Sequence, residues 1–108
     1  MEIKELITEA NRTAREKGFW DEWEDSLISP NRMNNLLATK LFLASSELTE
    51  ALENLRSNGL PDHLAEELAD AMIRIADFAG QMDLPLEKAI YEKMEKNKKR
   101  PYRHGKAF

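Results

Sequence analysis

Cysteine and valine are both missing from this chain of 108 residues, and glycine and proline occur four times each. Without cysteine there is no disulfide framework, no thiolate metal site and no cysteine nucleophile. Without valine, the other β-branched residues are six Ile and four Thr, so 10 of 108 positions carry the types that strands favour, which excludes a sheet protein. No apolar run approaches the ~18 to 20 residues that span a bilayer. The opening Met1-Glu2-Ile3-Lys4-Glu5 also lacks the charged-then-apolar order of a signal peptide. A soluble, cytoplasmic protein is the expectation.

Helix formers dominate what remains. Ala 12, Glu 14, Lys 9, Leu 14 and Arg 7 make 56 of 108 residues, which predicts an all-α chain. At 12.5 kDa it is expected to be a single domain, residues 1–108, small enough to need a partner to complete its core. The net charge of −4 is unevenly spread: residues 1–90 hold 9 Lys+Arg against 18 Asp+Glu, a net of −9, and residues 91–108 hold 7 against 2, a net of +5. An acidic body disfavours nonspecific nucleic-acid binding, so the basic end suits a phosphate group, another local anion or the acidic body itself.

Spacing divides the chain into four helices. Ile3, Leu6, Ile7, Ala10 and Ala14 form one stripe between Glu2 and Lys17, and Gly18 stops it. Residues 18–30 hold both tryptophans without a helical period and read as a long connection. Ser29-Pro30 supplies a cap and a first-turn proline for a helix reaching about Ser57. Its seam is Leu37, Leu41, Ala44, Leu48, Ala51 and Leu55. After the Asn58-Gly59-Leu60-Pro61 turn, a third helix to Gln81 carries Leu64, Leu68, Ala71, Ile75 and Phe78, with Met82 at its end. Asp83 is expected to cap a fourth helix ending near Asn97. The last residues, from Lys98, form a basic arm in which Arg100-Pro101 disfavours further helix.

Two acidic pairs border these seams. Glu47 and Glu50, then Glu67 and Asp70, are each three residues apart, so each pair shares a helix face. Helices joined by a short turn are antiparallel neighbours, and the pairs can meet there. Four converging carboxylates need a cation, and oxygen ligands without Cys or His suit Mg²⁺, Mn²⁺ or Ca²⁺. The plainer alternative is four solvated surface acids. Lys93, Asn97 and Arg100 step by 4 and 3, and Tyr102, Arg103, His104 and Lys106 follow; this is a cationic arm for a polyphosphate or simply a solvated tail. Lys40, seven residues before Glu47, has the reach for a phosphate. Phe19, Trp20 and Trp23 suit either stacking on a base or closing the helical core. His63 reads as a surface or capping residue, Arg74 and Asp77 as a structural pair, and Met72, Met82 and Met94 as core or interface filler.

The order Ser46-Glu47-Leu48-Thr49-Glu50-Ala51-Leu52-Glu53, then Glu66-Glu67-Leu68-Ala69-Asp70, then Lys93 to Lys106 with its Lys, Asn, Arg and His-Gly-Lys positions resembles the MazG-like all-α nucleoside triphosphate pyrophosphohydrolases over residues 30–106. The resemblance implies a four-helix bundle-like fold completed by oligomerisation, as a homodimer or dimer of dimers. It implies Mg²⁺-dependent cleavage between the α- and β-phosphates of an NTP or dNTP, giving the monophosphate and pyrophosphate, with Mn²⁺ as a substitute. Glu47, Glu50, Glu67 and Asp70 match the family's catalytic metal ligands, Lys93 and Asn97 match positions near the nucleotide, and Arg100, Tyr102 and Lys106 follow. Ser46 stands where the family often has a further Glu. The competing expectation is a non-catalytic helical module that binds a nucleotide or a protein; a nucleic-acid binder is disfavoured by the acidic body.

Overall fold

The structure, a computed structural model, describes residues 1–60 and 62–102. Among them the chain is all-helical: α1 (Ile3–Glu16), α2 (Trp23–Ser26), α3 (Pro30–Asn58), α4 (Leu64–Gln81) and α5 (Leu86–Lys98). The four expected helices are present. The single-turn α2 is an addition, formed inside the connection between residues 18 and 30, where Ser26 Oγ donates to the Trp23 carbonyl at 2.6 Å.

Local chemistry explains most of the boundaries. Gly18 takes φ 84°, and the amides of Gly18 and Phe19 return to the carbonyls of Arg15 and Ala14, closing α1 in a left-handed C-terminal cap. Ser29 accepts from the Arg32 amide at 3.1 Å and Pro30 occupies the first turn of α3, as the sequence predicts. Gly59, at φ 71°, ends that helix. Asp83 differs from expectation. It adopts φ 52°, its amide and that of Leu84 bond to the carbonyls of Gly80 and Ala79, and Pro85 is the N-cap of α5. Asp83 therefore terminates α4 instead of opening α5, a left-handed position that a short polar side chain tolerates without glycine. His63 is the N-cap residue of α4 but makes no side-chain cap bond.

α4 is the central element, packed on α1 along one side and on α3 along another. α1 runs antiparallel to it, with small residues on both sides: Ala10, Asn11 and Ala14 against Ala76, Ala79 and Gly80. The approach is close enough that a Cβ on Gly80 would lie 2.8 Å from Asn11 Cβ and 3.1 Å from the Ile7 carbonyl oxygen. Between α3 and α4 the seam closes only in part. Ala44, Ala51 and Ala71 are buried, whereas Leu41, Leu48, Leu55, Leu68 and Ile75 remain exposed. The apolar stripe on each helix is wider than the contact between them.

The buried core is correspondingly alanine-rich, with Trp20 its one large side chain among the described residues. α5 contributes no buried residue and stands off the other helices. One tie holds its start: the Lys4 amide, in the first turn of α1, donates to Glu87 Oε2 at 2.8 Å. The radius of gyration is 16.6 Å, against about 13 Å for a compact domain of this length.

Candidate functional site

Glu47 and Glu50 lie on α3, Glu67 and Asp70 on α4, and the antiparallel pairing brings the flanks that carry them together. Two cross-links show it: Arg74 Nε donates to Glu47 Oε1 at 2.9 Å, and Asn54 Nδ2 donates to Glu67 Oε1 at 2.5 Å. The carboxylates are not gathered around one point, however. Among the described residues no three His, Asp or Glu side chains are grouped to hold a metal ion. The expected fourfold convergence is therefore replaced by separate contacts, in which Arg74 engages Glu47 and Asn54 engages Glu67.

Arg74 neutralises Glu47, whose side chain is 15% exposed. This corrects the expected pairing of Arg74 with Asp77. Glu67, at 13% exposed, accepts from Asn54 on Oε1, with His63 Nε2 lying 3.0 Å from the same oxygen, while its Oε2 is buried with no hydrogen-bond partner. A buried carboxylate oxygen without a donor is costly, at about 1 to 3 kcal/mol. Glu50 and Asp70 are exposed.

Glu47, Asp70, Arg74 and Asp77 line a cleft of about 460 Å³ whose α1 side carries Leu6, Ala10 and Ala14 together with the polar Glu9 and Thr13, with Ile73 and Phe19 completing the lining. A larger hollow of about 1020 Å³ lies between α1 and the start of α5, but it holds none of the four acids and mixes cations such as Lys4 and Arg15 with Glu16 and Glu87. The smaller cleft is the chemically coherent one.

The aromatic cluster divides. Trp20 is buried, and its indole Nε1 donates to Asp77 at 2.8 Å (Oδ1) and 3.1 Å (Oδ2). Trp23 meets it edge to face, ring centroids 5.8 Å apart, and Lys40 Nζ lies 4.7 Å from the Trp20 ring centroid. Lys40 also donates to the Phe19 carbonyl. Trp20 is thus not an open stacking wall, and Lys40 is engaged with the connection instead of reaching for a phosphate. Phe19, 57% exposed and lining the cleft, is the aromatic that faces the acids. Trp23 opens on a separate hollow with Arg15 and Asp21.

Sequence reasoning missed the hub that fixes this arrangement. Asn11 Nδ2 donates to Asp77 Oδ1 at 2.9 Å and to Gln81 Oε1 at 3.0 Å, so Asp77 ties α1, α4 and the connection together. The available signal was Asp77 continuing the line of Glu67, Asp70 and Arg74 at helical spacing. Asn54 likewise continues the line of Glu47 and Glu50.

Lys93 and Asn97 lie on α5, exposed, and the ion pairs within that helix are Lys88 with Glu92 and Lys98 with Glu95. Arg100 does not extend the same helical face, since α5 ends at Lys98 and the Arg100 amide turns back to the Asn97 carbonyl at 3.3 Å. Tyr102 is exposed. Lys106, with Arg103 and His104, lies outside the described residues. No described helix is long and apolar enough to cross a membrane. Comparison with protein-family models, curated proteins and solved structures finds no match to this chain.

Proposed function

We propose that this chain is a Mg²⁺-dependent nucleoside triphosphate pyrophosphohydrolase of the MazG-like kind, acting between the α- and β-phosphates as a cytoplasmic homo-oligomer. The observation that carries the reading is the cleft that Glu47 and Asp70, from successive helices, share with Phe19 and the apolar side chains Leu6, Ala10, Ala14 and Ile73. The carboxylates suit a charged phosphate with its counter-ion, the apolar side chains a nucleobase.

The donor set fits a hard divalent ion. All four candidate ligands, Glu47, Glu50, Glu67 and Asp70, offer carboxylate oxygens, and Glu67 Oε2 is buried without a donor. Mg²⁺ held by these residues, or Mn²⁺ in its place, supplies Lewis acidity toward the phosphate oxygens. Glu47 Oε1 accepts from Arg74, so a Glu47 carboxylate drawn onto the ion would loosen that pair and offer the guanidinium to phosphate oxygens. One of the four carboxylates, with an oxygen left off the ion, would orient the attacking water and take its proton. Lys93, Asn97, Arg100, Tyr102 and Lys106 belong to the basic end that offsets the remaining polyphosphate charge; of the Phe19, Trp20 and Trp23 cluster, Phe19 takes the stacking role.

A second reading is favoured by one observation. Arg74 compensates Glu47 from within the chain, as it would in a non-catalytic nucleotide-binding or protein-interaction module.

The two separate in an assay of pyrophosphate release from a panel of canonical and modified nucleoside triphosphates, with Mg²⁺ and with chelator. The pyrophosphohydrolase releases pyrophosphate and a monophosphate only with the metal, and Glu50→Gln lowers kcat on the order of 100-fold or more. No turnover of any nucleotide, with no rise in thermal stability on adding Mg²⁺, removes the catalytic reading and leaves the module.

A further inference from the structure

The acidic cleft uses one flank of α3 and α4; the opposite flank carries an apolar face that no described residue covers. Leu48, Leu52 and Leu55 on α3, and Leu68, Met72 and Ile75 on α4, are each between 44% and 60% exposed. Their spacings, 4 and 3 on each helix, gather each set into one stripe. At about 100° per residue, the α3 leucines turn to one side of the buried Ala44 and Ala51, and Glu47 and Asn54 to the other. On α4 the apolar three turn to one side of the buried Ala71, and Glu67, Asp70 and Arg74 to the other. The Arg74 to Glu47 and Asn54 to Glu67 bonds join the two acidic flanks, so in an antiparallel pair the two apolar stripes adjoin on the far side.

The surface area says how much must be covered. The chain exposes 8507 Å², whereas a folded monomer of 12.5 kDa exposes about 6,200 Å². The excess is about 2,300 Å² per chain over the whole molecule, and covering even half of it on each of two chains exceeds the about 1,600 Å² of a standard stable interface. α5, standing off the bundle with Met94 and Tyr91 exposed, shares in that excess. The stripe positions include no Asp, Glu, Lys or Arg, so a two-fold axis sets neutral surface against neutral surface and strands no charge. A partner selected by charge has nothing to recognise there.

We propose that a second copy of this chain covers the α3–α4 leucine face in an isologous pairing, leaving the acidic cleft open on the far side of each protomer. The proposal deepens the homo-oligomer part of the preceding reading by naming the face, and it is independent of whether the chain hydrolyses nucleotides.

The test uses the full chain. Sedimentation at micromolar concentration is expected to give two chains, or four if pairs associate further; a mass of one chain overturns both the face and the homo-oligomer. Because the chain has no cysteine, single Leu52→Cys and Met72→Cys variants report on the face alone, with Glu9→Cys on α1, beside the cleft, as the control. A short bis-maleimide is expected to join the first two into covalent dimers and to leave the third monomeric on a denaturing gel. Far-ultraviolet circular dichroism matching the unmodified chain verifies that each variant is folded. A two-chain mass with cross-linking at Glu9→Cys and none at Leu52→Cys or Met72→Cys overturns the face while the homo-oligomer stands.

Discussion

Asp77 accepts hydrogen bonds from Trp20 and Asn11, side chains 57 and 66 positions earlier in the sequence, and so joins three separate segments at one carboxylate. Removing it leaves the buried indole N–H without its acceptor and the Asn11 amide with Gln81 alone. Asp77→Ala is therefore expected to destabilise the fold by about 2 kcal/mol, read from urea denaturation, and to shift tryptophan emission to longer wavelength as Trp20 loosens. At this scale the sequence discloses residue types and helical lines better than partners. The line from Glu67 through Asp70 and Arg74 to Asp77 is visible in spacing. That Arg74 reaches across to Glu47, and Asp77 toward α1, depends on which helix lies on which side, a relation between residues far apart in the chain. The tryptophans show the same limit: composition marks them as noteworthy, but only packing makes Trp20 a buried anchor and Phe19 the exposed ring at the cleft.

Among the elements, α1 and α4 depend most on exact fit, because their contact is made by alanine and glycine. Helix propensity alone would favour Gly80→Ala by about 1 kcal/mol. The new methyl would meet Asn11 Cβ and the Ile7 carbonyl, neither of them the end of a flexible side chain, so α1 must shift outward. The expected result is a net loss of about 1 to 3 kcal/mol, seen as a lower urea midpoint at unchanged slope. Element positions were largely legible, since Gly18, Ser29-Pro30 and Gly59 act through their own backbone preferences. Asp83 was not, because its short carboxylate suits two roles, opening a helix or ending one in the left-handed region. The one-turn α2 was equally hidden, four residues being too few to display a period.

For the whole molecule, the proposed pairing of two chains, argued from an alanine core, a stand-off α5 and the exposed leucine face, couples folding to association. The midpoint of thermal unfolding is then expected to rise with protein concentration, as mass action requires when the native state contains more chains than the unfolded one; calorimetry over a wide concentration range measures it. The sequence by itself determined the helical class, most helix boundaries and the acidic flanks, because propensity, capping and periodicity act over a few neighbouring residues. Tertiary structure alone decided that Glu47 is paired with Arg74, that Glu67 keeps one buried oxygen without a donor, and that the leucine stripes of α3 and α4 adjoin on the side away from the acids. Those features arise from the relative rotation of packed helices, which is set by contacts between distant residues and leaves no trace in local spacing.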